Sequence, residues 1–212
     1  MYPAKFDYVR AGSVEEAVAL LQQHSDAKLM AGGHSLLPLM KLRLATPAVI
    51  IDIGRLPGLK GVRREGGGVT IGALTTHAEI AASAEVKAVA PAVAEAAGDV
   101  GDVQVRNRGT LGGNIAHADP ASDLPTVLLA LDAEIRVVGP RGRRSIKAAD
   151  FFVDLMTTSL DFDEVITDVF IPAAPLSAYV KFENPASGYA MLGACASLSS
   201  SVRGKNIESD SG

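Results

Sequence analysis

Two glycine pairs carry the most chemistry in this sequence, Ala31-Gly-Gly-His-Ser-Leu36 and Thr110-Leu-Gly-Gly-Asn-Ile115. Glycine has no Cβ and accepts positive φ, so consecutive N–H groups in such a loop can turn toward one point and bind an anion. Ser35, Thr110 and Asn114 can add side-chain hydrogen bonds. One loop of this kind suits a phosphate; two on separate lobes suit a diphosphate clamped in a cleft, and hence a dinucleotide. A tight turn is the plainer use of a Gly-Gly pair, and on residue types alone that alternative stays open. No G-x-G-x-x-G follows a strand and no G-x-x-x-x-G-K-[ST] occurs, so the Rossmann and P-loop readings both fail.

Other reactive side chains are less persuasive. His117, Asp119 and Asp123 could form a metal set and would suit a metal-dependent hydrolase, but Pro120 interrupts them, and a hydrogen-bonded loop without metal is the expectation. Ser35 stands outside any G-x-S-x-G elbow, and Cys195 lies in apolar Gly193-Ala-Cys-Ala-Ser197, where a buried thiol behaves as a small hydrophobe. No catalytic residue is assigned. Arg106 and Arg108 precede the second glycine pair, where a guanidinium can approach a phosphate or brace the loop. Arg141, Arg143, Arg144 and Lys147 read as a solvated basic turn, and His24 and His77 as solvated or capping residues at helix ends.

The elements that must hold these loops can be read from pattern. Ser13 and Glu16 form a capping box before the apolar stripe Ala17, Val18, Leu20 and Leu21, giving a helix to about Gln23. Lys28 to Ala31 and the β-branched run Ala48 to Ile53 are strands, so residues 1–55 form a small β-α-β lobe. After the Gly/Pro-rich stretch 54–61, Gly61-Val-Arg-Arg-Glu65 and Gly68-Val-Thr-Ile-Gly72 form a hairpin that opens a second lobe, 56–175. Thr76 with Glu79 is another capping box; Pro91 to Ala97 is a helix stopped by Gly98, and Leu124 to Leu131 is a further helix. Gly101 to Asp123 shows little period and reads as loop, with strands at 134–138, 165–171 and 178–182. Residues 176–212 form a third region whose polar end, from Ser200, reads as a frayed tail.

Bulk properties narrow the partners. The chain has 212 residues, with 20 Lys and Arg against 24 Asp and Glu, a formal charge of -4 that leaves no basic field for nucleic acid. At 48% hydrophobic and 21% charged residues a packed globular fold follows. The single cysteine cannot supply an iron–sulfur cluster or structural zinc site, so redox chemistry here requires an organic cofactor. Neither a signal-peptide core nor a membrane-spanning apolar run is visible, and the cytoplasm is the expected compartment.

The motifs resemble those of the FAD-binding medium subunits of the molybdenum hydroxylases, which include aerobic carbon monoxide dehydrogenase and the flavin domain of xanthine dehydrogenase. Ala31 to Ser35 matches that family's A-G-G-H-S, Thr110 to Ile115 its T-[IL]-G-G-N-I, and Ala118-Asp-Pro-Ala-Ser-Asp123 its A-x-P-x-S-D. The likeness runs from about Pro3 to about Leu198, over nine tenths of the chain, and takes in Pro47 to Ile53, Ile71 to Thr76 and Lys181 to Ala190. It implies an α+β, two-lobed FAD-binding fold, a small β-α-β lobe beside a larger mixed-sheet lobe, with only the start of a C-terminal α/β domain, as in a truncated member. The implied FAD site takes Lys28, Leu29, Met30, Ala31, Gly32, Gly33, His34, Ser35 and Leu36 at the adenine and diphosphate end. Thr110, Gly112, Gly113 and Asn114 hold the other side, and Asp123 bonds the ribityl or a nearby polar part of the flavin. Val100 takes the place of an aromatic beside the cofactor, Val165 is an apolar contact, Lys181 a flavin-contacting lysine and Tyr189 a flavin-face residue. The implied function is electron transfer through FAD, within a hetero-oligomer containing a large molybdopterin subunit and a small [2Fe-2S] subunit, to a quinone, a nicotinamide or another acceptor. A degenerate nucleotide-binding module is the non-enzymatic alternative.

Overall fold

A computed structural model of the chain describes residues 2–198. The polar tail expected from Ser200 lies outside the described residues.

Three parallel strands open the fold. β1 (Asp7–Arg10), α1 (Val14–Gln23), β2 (Ala27–Met30), α2 (Leu36–Lys41) and β3 (Val49–Asp52) follow in chain order, and the sheet order is β1-β3-β2. The central strand is the continuous run Val49-Ile-Ile, buried on both faces as its composition requires. β1 has no signal in the sequence because it is an edge strand whose only inward residue is a half-buried Val9. The Ser13 hydroxyl accepts from the Glu16 amide as expected, while the Glu16 carboxylate caps Gly12 N rather than Ser13 N.

β4 (Val62–Glu65) and β5 (Gly68–Gly72) form the expected antiparallel hairpin at one edge of a five-stranded sheet of order β4-β5-β10-β6-β7. Between β5 and β6 the chain lays down six helices: α3 (His77–Ala82), α4 (Ala84–Val89), α5 (Pro91–Asp99), α6 (Val103–Arg106), α7 (Leu111–His117) and α8 (Asp123–Ala130). They bury Ile80, Val93, Leu111, Ile115, Leu124 and Leu128 against Val69, Ile71, Ile135 and Val169 of the sheet. Burying each Leu or Ile side chain contributes about 1.5–3 kcal/mol. Then come β6 (Glu134–Gly139), β7 (Gly142–Lys147), α9 (Ala148–Phe151), β8 (Phe152–Asp154), β9 (Thr157–Thr158), β10 (Val165–Pro172), β11 (Ser177–Glu183) and β12 (Ala190–Ser197), the last two a separate hairpin.

Several expectations are corrected. The stretch 101–123 is not loop but holds α6 and α7, each nucleated by a side-chain cap: Asp102 accepts from Val105 N, and Thr110 from Gly113 N. Gly98 does not stop α5, which runs to Asp99. Arg143 and Arg144 belong to β7 rather than to a turn, and Arg144 pairs with Glu164 at 2.7 Å. Cys195 is half-buried rather than buried, because β11–β12 packs on α5 and α8 with one face only. His77 is neither solvated nor a side-chain cap: it is buried beside Gly109, its Nδ1 has no partner, and burial holds its pKa down to about 4, so the ring is neutral at pH 7.

Candidate functional site

The first wall of the site is the carboxyl edge of the parallel sheet. Arg10, Met30 and Asp52 are the last residues of β1, β2 and β3, and register sets them side by side. All three line one cleft of about 310 Å³ together with Ala31, Gly32, Gly54 and Arg55, which follow β2 and β3. In parallel sheets ligands bind outside the carboxyl ends of the strands, where loops diverge and backbone groups are unpaired. The loop after β2 fits that use: the N–H groups of Gly32, Gly33, His34 and Ser35 donate to no backbone or side-chain acceptor among the described residues. Gly33 sits at φ +77°, a left-handed conformation that glycine adopts without strain, and the His34 ring closes back on Gly32 O at 3.0 Å.

The second wall is built from Thr76, Asn107, Arg108 and Thr110. Thr76 and Thr110 are bridged through their backbones, and the Thr76–Glu79 capping box, complete in both directions, fixes the start of α3 behind them. The two walls touch. A Cβ built on Gly32 would lie 1.9 Å from Arg108 O and 2.7 Å from Arg108 C, so the loops approach as closely as bare backbone allows. Gly113 likewise faces Ala31, at 3.9 Å from a built Cβ.

The second glycine pair does a different job from the one its sequence suggests. Gly112 N donates to Ala73 O at 2.8 Å and Gly113 N to Thr110 Oγ1 at 3.2 Å, while Leu111 N is taken by Thr75 O. Their amides are therefore spent inside the fold, and this pair forms no anion nest. What the glycines provide is room: a Cβ on Gly112 would stand 2.7 Å from Ala73 Cβ, so α7 seats against the end of β5 only without one. The half-buried Asn114 is engaged too, its Oδ1 accepting from Ser122 Oγ at 2.7 Å.

Asp123 and Lys181 form a second cluster. Lys181 Nζ donates to Asp123 Oδ2 at 3.2 Å and to Asp99 O at 2.8 Å, and Tyr179 Oη donates to Asp123 Oδ1 at 2.7 Å. Both charged side chains are only 5% exposed. Burial, reinforced by the Asp123 carboxylate, pushes the Tyr179 hydroxyl upward, so it stays protonated and keeps donating. β12 admits the phenol because position 193 is glycine, where a built Cβ would lie 2.6 Å from Tyr179 Oη. Val100, the residue after Asp99, is buried beside this cluster.

The sequence-expected residues thus divide. Met30, Ala31, Gly32 and Thr110 line the cleft, with Gly33, His34 and Ser35 in the same loop. Lys28 is exposed on β2 and Leu29 half-buried beside it, and Leu36 begins α2; none of them lines the cleft. Asp123 and Lys181 meet in the second cluster, and Val100 is buried next in sequence to Asp99, whose carbonyl accepts from Lys181. Val165 is buried in the core beneath the first sheet, with Ile51 and Leu74, and Tyr189 is exposed in the turn before β12. Of the two arginines before the second loop, Arg106 is the brace, donating to Val100 O and Gly101 O, whereas Arg108 lines the cleft. Arg10, Asp52, Arg55, Lys60, Thr76 and Asn107 were not anticipated; the signal for the first two was their place at the carboxyl ends of parallel strands. Among the described residues no group of His, Cys, Asp or Glu side chains could hold a metal ion, and the Asp123 carboxylate is committed to Tyr179 and Lys181.

Residues 4–174 match the family described as the FAD binding domain in molybdopterin dehydrogenase. The carbon monoxide dehydrogenase medium chain of Hydrogenophaga pseudoflava is 47% identical over 197 residues, which are 91% of this chain and 69% of that one. The nicotine 6-hydroxylase medium subunit of Paenarthrobacter nicotinovorans is 44% identical over 193 residues, 91% of this chain and 68% of its own. Among solved structures, carbon monoxide dehydrogenase from Hydrogenophaga pseudoflava superposes with a TM-score of 0.88 at 48% identity, covering 91% of this chain and 69% of that one. Quinoline 2-oxidoreductase from Pseudomonas putida 86 gives a TM-score of 0.90 at 32% identity, over 94% of this chain and 70% of that chain.

Proposed function

The chain belongs to the FAD-binding domain family of the molybdopterin dehydrogenases, and we propose that it is the FAD-carrying electron-transfer subunit of a molybdenum hydroxylase complex. The observation that carries this reading is the cleft at the carboxyl edge of the parallel sheet, lined by Gly32 of a loop whose Gly32–Ser35 amides have no acceptor among the described residues, with the Arg108 backbone closing against Gly32 from the opposite wall. Those amides and the cleft's cations fit a diphosphate, and the lack of a Cβ at Gly32 keeps the cradle closed. When bound, FAD supplies the redox chemistry, taking electrons from one partner and delivering them to another.

The chain's residues bind and orient. Gly32 to Ser35 hold the diphosphate, Thr110 and Arg108 shape the opposite side, and Asp52, with a partly exposed carboxylate at the strand end, accepts from ribose hydroxyls. The buried ammonium of Lys181, fixed by Asp123, favours negative charge on a flavin lying against β11. Residues 1–55 and 56–175 serve as the two binding lobes, and the β11–β12 hairpin forms a separate sheet after them.

The partners of this subunit would be a small [2Fe-2S] subunit and a large molybdopterin-containing subunit, and a quinone, a nicotinamide or another carrier would serve as electron acceptor. The relatives named as medium chains or medium subunits support this hetero-oligomer, as does a single cysteine that cannot ligate a cluster. Among the described residues no helix is long and apolar enough to cross a membrane, and we place the complex in the cytoplasm.

The test is a flavin titration of the full chain. Its FAD absorbance band should shift and resolve, and flavin fluorescence should change, saturating at one FAD per chain. An unperturbed flavin spectrum at micromolar FAD, both alone and with the partner subunits present, overturns the reading.

A further inference from the structure

Four cationic side chains line the cleft, and two of them are already engaged. Arg10 donates to the Tyr8 hydroxyl and lies 3.7 Å from Asp52, and Lys60 Nζ is 2.9 Å from Glu79 Oε1. The side chains of Arg55 and Arg108 have neither a carboxylate partner nor a hydrogen-bond acceptor among the described residues. They come from opposite walls: Arg55 follows Gly54 off the end of β3, and Arg108 supplies the backbone against which Gly32 is pressed.

We infer that Arg55 and Arg108 are the specificity-determining residues for the diphosphate, one guanidinium from each wall, and that together they select FAD over flavins with one phosphate or none. This rests on the FAD reading above. A guanidinium presents a rigid fork of donors that meets phosphate oxygens in pairs, and an arginine without a protein partner surrenders no existing ion pair when it does so. The chain as a whole carries a formal charge of -4, so attraction for a dianionic bridge must be local, and these two residues are the cleft's uncommitted positive charge. Each phosphate of the bridge meets one of them, whereas FMN carries a single phosphate and riboflavin none.

The test compares FAD, FMN and riboflavin binding by the full-length wild-type chain with Arg55→Gln and Arg108→Gln, by flavin fluorescence at low and high salt. Both residues are exposed and make no side-chain bond, so the fold is retained. Each substitution should weaken FAD about tenfold, as loss of one charge-assisted phosphate contact does. Riboflavin binding should stay unchanged, the preference for FAD over FMN should fall, and the salt dependence should become shallower. An unchanged FAD-to-FMN preference in both variants, or equal weakening of all three flavins, overturns the inference while leaving the FAD reading intact. A wild-type chain that leaves every flavin unperturbed overturns both.

Discussion

Replacing Gly32 by alanine should abolish FAD binding, with Kd rising at least ~100-fold, and should lower thermal stability as well. The added methyl would sit 1.9 Å from Arg108 O and 2.7 Å from Arg108 C, and 3.1 Å from Gly109 Cα. All three are backbone atoms, so no side-chain rotation relieves the clash and the walls must part by an ångström or more. Overpacking of this kind costs about 1–3 kcal/mol, and a cradle opened by that distance no longer presents its amides to a common point. Gly58→Ala is the control. Gly58 also has positive φ, +77°, but a Cβ there meets nothing within 4 Å, so that variant carries only a backbone strain of about 1 kcal/mol and should bind FAD normally. A flavin titration and a melting curve on each variant decide it; FAD affinity in Gly32→Ala within twofold of wild type contradicts the proposed contact between walls.

The second large effect is expected at Asp123. Its carboxylate compensates the buried Lys181 ammonium and accepts from Tyr179, and the three residues tie β11 to the N-terminal turn of α8. Asp123→Ala leaves the ammonium buried with Asp99 O as its one remaining acceptor among the described residues, which costs about 3–5 kcal/mol. For a chain of this length that is a fall in Tm of roughly 10 °C. Removing both charges is a different matter: Asp123→Ala with Lys181→Met buries no uncompensated ion and should recover much of the loss, leaving a clear non-additivity in a double-mutant cycle. Melting curves of the two single variants and the double variant test this. Additive losses, or a single-variant cost below about 1 kcal/mol, contradict the buried pair.

The contrast between the two glycine loops shows what sequence patterns could and could not reveal. That Ala31 to Ser35 turns off a strand end with a left-handed glycine was legible because those properties are local: the end of β2, a glycine free to take φ +77°, and polar neighbours. The Thr110 to Asn114 segment has similar residue types but opens α7: Gly113 N is taken locally by the Thr110 cap, while the fate of the Leu111 and Gly112 amides depends on Thr75 O and Ala73 O, in a segment far away in sequence that only the folded chain brings alongside. The short helices α6 and α7 were missed for a related reason: they are four and seven residues long, too short for apolar periodicity, and depend on the Asp102 and Thr110 caps. Lys181 and Asp123 were each singled out, yet their pairing across a separation of 58 residues could not be inferred from spacing. His77, at the first position of α3, looks like a solvated helix end until Gly109 is seen to close over its ring. Arg10, Met30 and Asp52 are unremarkable singly and become a ligand-facing edge only once the strands are known to run parallel.

Amide hydrogen exchange, read residue by residue with and without FAD, tests most directly whether the first glycine loop is the anion cradle and the second is not. The N–H groups of Gly32, Gly33, His34 and Ser35 should exchange rapidly in the free chain and slow markedly when FAD is added. Those of Gly112 and Gly113, bonded to Ala73 O and Thr110 Oγ1, should be slow in both states. FAD bound without any slowing at residues 32–35, or with new protection confined to Gly112 and Gly113, contradicts the account.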